Sequence, residues 1–252
     1  MHPQEVGATE WLANLSIGYV VVAAFALTAL RLTLVPSRAP FARSIAELVE
    51  SLIIAGVLVF LVIRPFFLQA FFIPSESMEP TLQGHEKGRN NQTNQDYPDS
   101  VHDHIFVDKL SYRLRDPHRG EIIVFRAEKK ADKAAEYERR DPIENVLIKR
   151  LIGVAGDKIE VKPDSDDKMR VFLNDKPLAD TYIKEPMNNP QPSPAEFAVN
   201  RPLMLEKDQL FVMGDNRNNS NDSRFWGTLP RNRVIGRAML IFYPLNRIRL
   251  IR

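Results

Sequence analysis

The chain has 252 residues, 34 basic against 32 acidic for a formal net charge of +2, and no cysteine. That near balance lacks the basic excess that phosphate-backbone recognition needs, so no nucleic-acid partner is expected. The missing cysteine removes disulfides, thiolate nucleophiles and cysteine-based zinc sites, and it is compatible with an oxidising compartment.

Apolar residues are concentrated near the start. Residues 11–30 carry no charge, and such a length as a helix matches the roughly 30 Å hydrocarbon core of a bilayer. Trp11 stands at one end as an interfacial anchor. A cleaved signal peptide is the competing reading, weakened because no Lys or Arg precedes Arg31. A second apolar run, 51–63, is extended on both sides and predicts a second span over about 45–67, with an interfacial helix as the alternative. Arg31, Arg38 and Arg43 lie between the two runs. The positive-inside rule therefore puts that linker in the cytoplasm and the chain after Arg64 outside. The expected division is a membrane anchor over 1–73 and an extracytoplasmic domain over 74–252.

From residue 83 the composition changes. Residues 83–103 are polar and rich in Asn and Gln, which reads as a mobile surface loop. Strand-like segments follow at 104–110, 121–126, 146–154, 158–162, 169–174, 209–214 and 234–243, rich in β-branched and aromatic residues and separated by turn material. No helical pattern alternates with them, so a mainly β, antiparallel domain is expected rather than a parallel βαβ sheet. Residues 127–140 read as a charged, solvated excursion. Residues 186–194 contain Pro186, Pro190, Pro192 and Pro194 and read as an extended connection.

Few residues offer chemistry. His102-Asp103-His104 is a close histidine pair without a ligand cluster, and reads as solvated loop rather than a metal site. Residues 215–222 depart from a calcium loop, with Arg217 at the third position and Trp226 where the bidentate Glu belongs. No metal or cofactor is expected. Ser75 and Ser77 sit in a turn bracketed by Pro74 and Pro80, and a serine nucleophile needs a base. Lys149 alternates with Leu147 and Leu151, so on a strand the three share a face. Burial there would lower the lysine pKa toward a range where the neutral amine is available. A lysine snorkelling from a sheet edge, and a plain serine turn, are the structural alternatives.

Three stretches then resemble the type I signal peptidases, bacterial membrane-bound serine endopeptidases. Residues 73–82 resemble the nucleophile motif, 148–157 the lysine motif, and 214–224 the third signature, in the family's order and after a membrane anchor. The resemblance covers about residue 51 to the C-terminus. It implies Ser77 as nucleophile, neutral Lys149 as general base, Ser75 as an oxyanion donor beside the Ser77 N–H, and Ser220 orienting the Lys149 amine. Asp222 and Arg224 would form a supporting ion pair. Ile73, Pro74, Met78, Leu82 and Ile148 match positions lining the family's small-residue pockets.

The resemblance implies a signal-peptidase/LexA-like β catalytic domain in the bacterial plasma membrane. Its substrates would be signal peptides of exported preproteins arriving from the secretion translocon and cut after Ala-X-Ala, with membrane lipid as the other partner. Ala155 departs from the proline usual before the Gly-Asp, and 83–103 and 127–140 are longer than usual. A membrane-tethered peptide-binding module without catalysis is the alternative. A LexA-like self-cleaving protein fits poorly, because that group is cytosolic and binds DNA.

Overall fold

The computed structural model describes residues 17–36, 40–63, 66–90, 95–127, 146–188 and 197–251. The chain divides into two compact units, Met1–Phe71 and Phe72–Arg252.

The first unit holds helices α1 (Ile17–Leu34) and α2 (Pro40–Val57), the latter continuing as a π-helical turn over Leu58–Ile63. Ala42, Ala46 and Val49 are buried, and this stripe recurs at helical spacing. Arg31 Nη2 donates to Glu50 Oε2 at 2.7 Å. Most other side chains on these helices are apolar and exposed, Phe25 at 73% among them. Among the described residues, the stretch Phe41–Ile63, 23 residues, is long and apolar enough to cross a membrane. The apolar helix Gly18–Leu34 falls short of that length. Residues 11–16 of the first expected span lie outside the described residues. Arg31, expected in the linker, stands inside α1. Strand β1 (Leu68–Phe72) replaces helix just past the expected end of the second span.

The second unit is mainly antiparallel β. Its central sheet runs β2 (His104–Asp108), β8 (Val234–Tyr243), β3 (Ile122–Arg126), β4 (Val146–Gly153) and β7 (Gln209–Met213), in that spatial order. Leu229–Pro230 pairs with β7, and Arg249–Leu250 with β8. A smaller sheet pairs β5 (Lys158–Pro163) with β6 (Met169–Leu173), flanked by Leu203–Met204 and Lys176–Pro177. These strands fall on the expected segments because each is a β-branched or aromatic run closed by turn residues. One such turn, Ala155-Gly156-Asp157, needs glycine at its centre, where φ is +85°.

Strands β4 and β7 are apolar on both faces because they separate two cores. Leu151, Leu210 and Val212 pack with Tyr112, Ile123 and Phe125 on one side. Ile152, Phe211 and Met213 pack with Ile159, Val161 and Val171 on the other. The register Ile123↔Lys149 and Met213↔Arg150 places a lysine and an arginine at consecutive buried positions of β4.

Residues 83–103 are not the solvated loop expected. Gly84–His85 pairs with Val101–His102, and Gly88–Arg89 with Asp96–Tyr97. Asp103 is fully buried, accepting from Gln83 N at 2.8 Å and from Arg247 Nε and Nη2 at 2.7 and 2.8 Å. Its partner lies 144 residues away, which explains why local composition misread it. Residues 91–94, 128–145 and 189–196 lie outside the described residues. With them go most of the 127–140 excursion and much of the proline-rich connection.

Candidate active site

The turn carrying the two serines is anchored by apolar side chains on either side. Ser75 is extended and exposed, Glu76–Met78 makes a single 3-10 turn, and Leu82 N closes onto Met78 O at 2.9 Å. Ile73, Met78 and Leu82 are buried at 2% exposure or less. Gly84 packs under this segment so closely that a Cβ there would lie 2.5 Å from the Ser75 carbonyl oxygen. Of the five pocket candidates, Pro74 is exposed and Ile148 half-buried, so these reach the surface while Ile73, Met78 and Leu82 lie behind it.

Ser77 is buried and its Oγ lies 2.7 Å from Lys149 Nζ. Ser75 Oγ stands 3.3 Å from Ser77 Oγ. Lys149 is 4% exposed on β4. Burial pushes its pKa down from 10.5 to about 8; Asp222 and Asp215 pull upward, and Arg224 adds to the lowering. As an ammonium, Nζ donates to Ser77 Oγ; as a neutral amine, it accepts the hydroxyl proton across the same distance.

Asp222 and Arg224 make a buried, forked pair, with Arg224 Nε to Oδ1 and Nη2 to Oδ2 both at 2.9 Å. Burial alone would raise the Asp222 carboxyl, but the Arg224 charge and hydrogen bonds, with Gly214 N–H, hold it below the usual range. Ser220 also stands close enough to contribute to that lowering. Its Oγ is nevertheless buried without a partner at hydrogen-bond geometry. The oxygen rests against Gly214, where a Cβ would lie 2.3 Å from it and 2.4 Å from the Ser77 carbonyl oxygen. Gly214 is thus required for the loop to approach the serine turn, a role that sequence reading passed over.

Other members of the site were not singled out in the sequence. Arg150 forks onto Asp215 at 2.8 and 2.6 Å, and Thr81 Oγ1 donates to the same carboxylate at 2.5 Å. The Arg150 guanidinium also lies 4.0 Å from the Tyr182 ring centroid. Asn216 N donates to the Ser77 carbonyl at 3.1 Å, and its side chain to Glu76 O at 3.2 Å. Arg217, fully buried, is met by Asp180 at 2.6 and 3.0 Å. The 214–224 stretch was marked by its resemblance to the third signature; nothing local signalled Asp180 or Tyr182. Among the described residues no group of three or more His, Cys, Asp or Glu could hold a metal. The His102-Asp103-His104 triplet is built into the fold instead, with His102 Nδ1 2.9 Å from Ile73 O.

A buried serine beside a desolvated lysine, with a second hydroxyl and a backbone N–H near the serine, can perform nucleophilic acyl transfer. Comparison with known proteins points the same way. Residues 45–243 match the family described as signal peptidase, peptidase S26. The probable signal peptidase I-2 of a Synechocystis strain is 38% identical over 199 residues, 79% of this chain and 73% of that protein. Signal peptidase I of Leptolyngbya laminosa is 37% identical, over 74% of each chain. Signal peptidase I P of Bacillus subtilis subsp. natto is 34% identical, covering 82% of this chain and 93% of its own.

Proposed function

The chain belongs to the signal peptidase family, peptidase S26, and from that premise we propose that it removes signal peptides from exported preproteins with Ser77 as nucleophile and Lys149 as base. It is a serine-type peptidase. The reading is carried by one observation, the 2.7 Å contact between Ser77 Oγ and a lysine amine whose pKa burial has pushed down to about 8.

The chemistry follows from that pair. Neutral Lys149 takes the Ser77 proton as Oγ attacks the carbonyl carbon of the scissile bond. The resulting oxyanion is met by the Ser77 N–H and the Ser75 hydroxyl. When the tetrahedral intermediate collapses, the C–N bond breaks and the Lys149 ammonium passes its proton to the leaving amine. Water then enters, gives a proton to Lys149, and attacks the acyl-enzyme. On collapse the ester C–O bond breaks, the Lys149 ammonium returns its proton to Ser77 Oγ, and the acid product leaves as carboxylate with its proton going to solvent. Ser220 is the orienting hydroxyl for the amine, and Asp222 with Arg224 holds the loop that carries it.

Substrates are extended peptides with small residues at the first and third positions before the bond, seated against Pro74 and Ile148 with Ile73, Met78 and Leu82 behind. The protein acts at the extracytoplasmic face of a bacterial plasma membrane, on preproteins delivered by the translocon. The division at 73/74, with spans over about 11–30 and 45–67, completes the reading. The run Phe41–Ile63 and the exposed apolar side chains of α1 support it, as do Arg38 between the helices and Arg43 near the start of α2. The test is cleavage of a purified preprotein by the detergent-solubilised chain. Ser77→Ala and Lys149→Ala are each expected to abolish cleavage while keeping the native melting transition. Appreciable cleavage by either variant removes that residue from the dyad.

A further inference from the structure

Two carboxylates flank the nucleophile, Glu76 one residue before Ser77 and Glu79 two residues after. Glu79 is 3% exposed, and a buried carboxylate needs partners. Its Oε2 accepts from Lys184 Nζ at 2.6 Å and from the Tyr97 hydroxyl at 3.0 Å, and its Oε1 lies 2.6 Å from His85 Nδ1. Burial works to raise the Glu79 pKa, but the hydrogen bonds from Lys184 and His85 and the Lys184 charge hold it below its ordinary value.

The same tyrosine reaches the other glutamate. Tyr97 Oη lies 3.0 Å from Glu76 Oε2 and accepts from Lys184 Nζ at 2.8 Å. A hydroxyl has one proton to give, and Gln95 Oε1 also stands 2.7 Å from the Tyr97 oxygen, so Tyr97 is a hub shared by two carboxylates and an amide rather than the donor of separate bonds. Its ring stacks on His85 with centroids 4.0 Å apart, which fixes where the hydroxyl points. Lys184 is tied in turn to the loop on the far side of the serine, its N–H donating to Asp215 O at 3.1 Å. His85 and Tyr97 both belong to 83–103, the stretch that departs from the family's short link.

We propose that Tyr97 and Lys184 are positioning residues for Ser77, clamping the carboxylates of Glu76 and Glu79 so that 83–103 acts as a splint behind the nucleophile turn. The proposal rests on the reading of Ser77 as nucleophile. The clamp acts through the turn: the glutamates fix the peptide units on both sides of Ser77, and so the direction of its Oγ toward Lys149. Misplacing a reacting atom by about 1 Å can cost on the order of 100-fold in rate without weakening substrate binding.

The experiment uses the full chain in detergent, as Tyr97→Phe, Lys184→Met and Lys184→Arg, on a synthetic peptide with alanine at the first and third positions before the scissile bond. Tyr97→Phe and Lys184→Met are expected to lower kcat by about 10- to 100-fold with KM within about threefold. The midpoint of the pH profile should stay in place, and Lys184→Arg should recover part of the loss. Unchanged kcat in folded Tyr97→Phe overturns the proposal, as does a loss carried by KM alone. Thermal melts establish folding, and if Lys184→Met does not fold, Tyr97→Phe, which removes only one oxygen, decides. Ser77→Ala in the same assay separates the two readings. Retained cleavage there overturns the nucleophile and the clamp together, whereas an inactive Ser77→Ala beside a fully active Tyr97→Phe overturns the clamp alone.

Discussion

Ser77 Oγ and Lys149 Nζ meet at 2.7 Å across 72 residues of sequence. The next residue on β4 reaches the same segment by a different route, as Arg150 holds Asp215 and Asp215 holds Thr81. Two consecutive side chains of one buried strand therefore fasten the serine turn, the first to its hydroxyl and the second to its far end. The lysine contact brings an amine to the serine hydroxyl, and the arginine contact ties down the other end of the turn.

Activity should rise with pH through the Lys149 transition. A base with a pKa of about 8 in the free enzyme gives kcat/KM increasing about tenfold per pH unit below that value and levelling above it. Peptide cleavage measured from pH 6 to 10 checks this, and a flat profile between pH 7 and 9 removes Lys149 as base.

The same group costs stability. Lys149 binds its proton more weakly folded than unfolded, so between about pH 8 and 10.5 the unfolded chain holds more protons and stability climbs with pH. Below that window the full cost is present, on the order of 3 kcal/mol. Lys149→Met should therefore gain on the native protein most at pH 7 and progressively less toward pH 10.5. Denaturant unfolding across that range checks it; a pH-independent difference would show that the lysine is not desolvated.

Ser220→Ala separates stability from catalysis. The Ser220 hydroxyl makes no well-formed hydrogen bond and only helps to hold the Asp222 carboxyl low, so removing it should change folding by no more than about 1 kcal/mol. If Ser220 turns to orient the amine during catalysis, as proposed, kcat should fall by about 100-fold. A melt and a rate measurement on one preparation check the pair; a variant that is both stable and fully active takes Ser220 out of the mechanism.

Gly214→Ala should fail on geometry. The added methyl meets Ser220 Oγ at 2.3 Å and the Ser77 carbonyl at 2.4 Å, and a backbone atom cannot swing aside as a side chain can. Overpacking of this kind costs roughly 1–3 kcal/mol or more, together with loss of cleavage. Adding Ser220→Ala relieves one contact only, so the double variant should remain impaired. Full rescue would show that the serine turn is free to move.

The longer strands from β2 to β8 were readable because each announces itself locally, down to the ten residues of β8 matching the expected 234–243, whereas β1 reads as the tail of the apolar run. Lys149 was only half readable from its neighbours, since Leu147 and Leu151 mark a shared face but fit a lysine snorkelling from a sheet edge as well; the resemblance of 148–157 to a known lysine motif singled it out. What escaped were groups whose partners are distant in sequence. His85 and Asp103 sit in a polar stretch that composition assigns to solvent, yet both are buried by partners such as Tyr97, Glu79 and Arg247. Two-residue ladders such as Gly84–His85 with Val101–His102 are too short for any period to show. Gly214 was inside a recognised motif, but its need for a bare Cα appears only when Ser220 and the Ser77 carbonyl arrive from elsewhere.

Each aspartate that pulls on Lys149 is gripped by a guanidinium, Asp215 by Arg150 and Asp222 by Arg224. What reaches the amine is then the field of two dipoles, which fades faster with distance than that of two free charges. Arg224 thus adds to the lowering of the pKa of a residue to which it is not bonded. Neutralising Arg224 would leave Asp222 an uncompensated buried charge near the amine, moving the Lys149 transition to higher pH and loosening the loop that the pair holds.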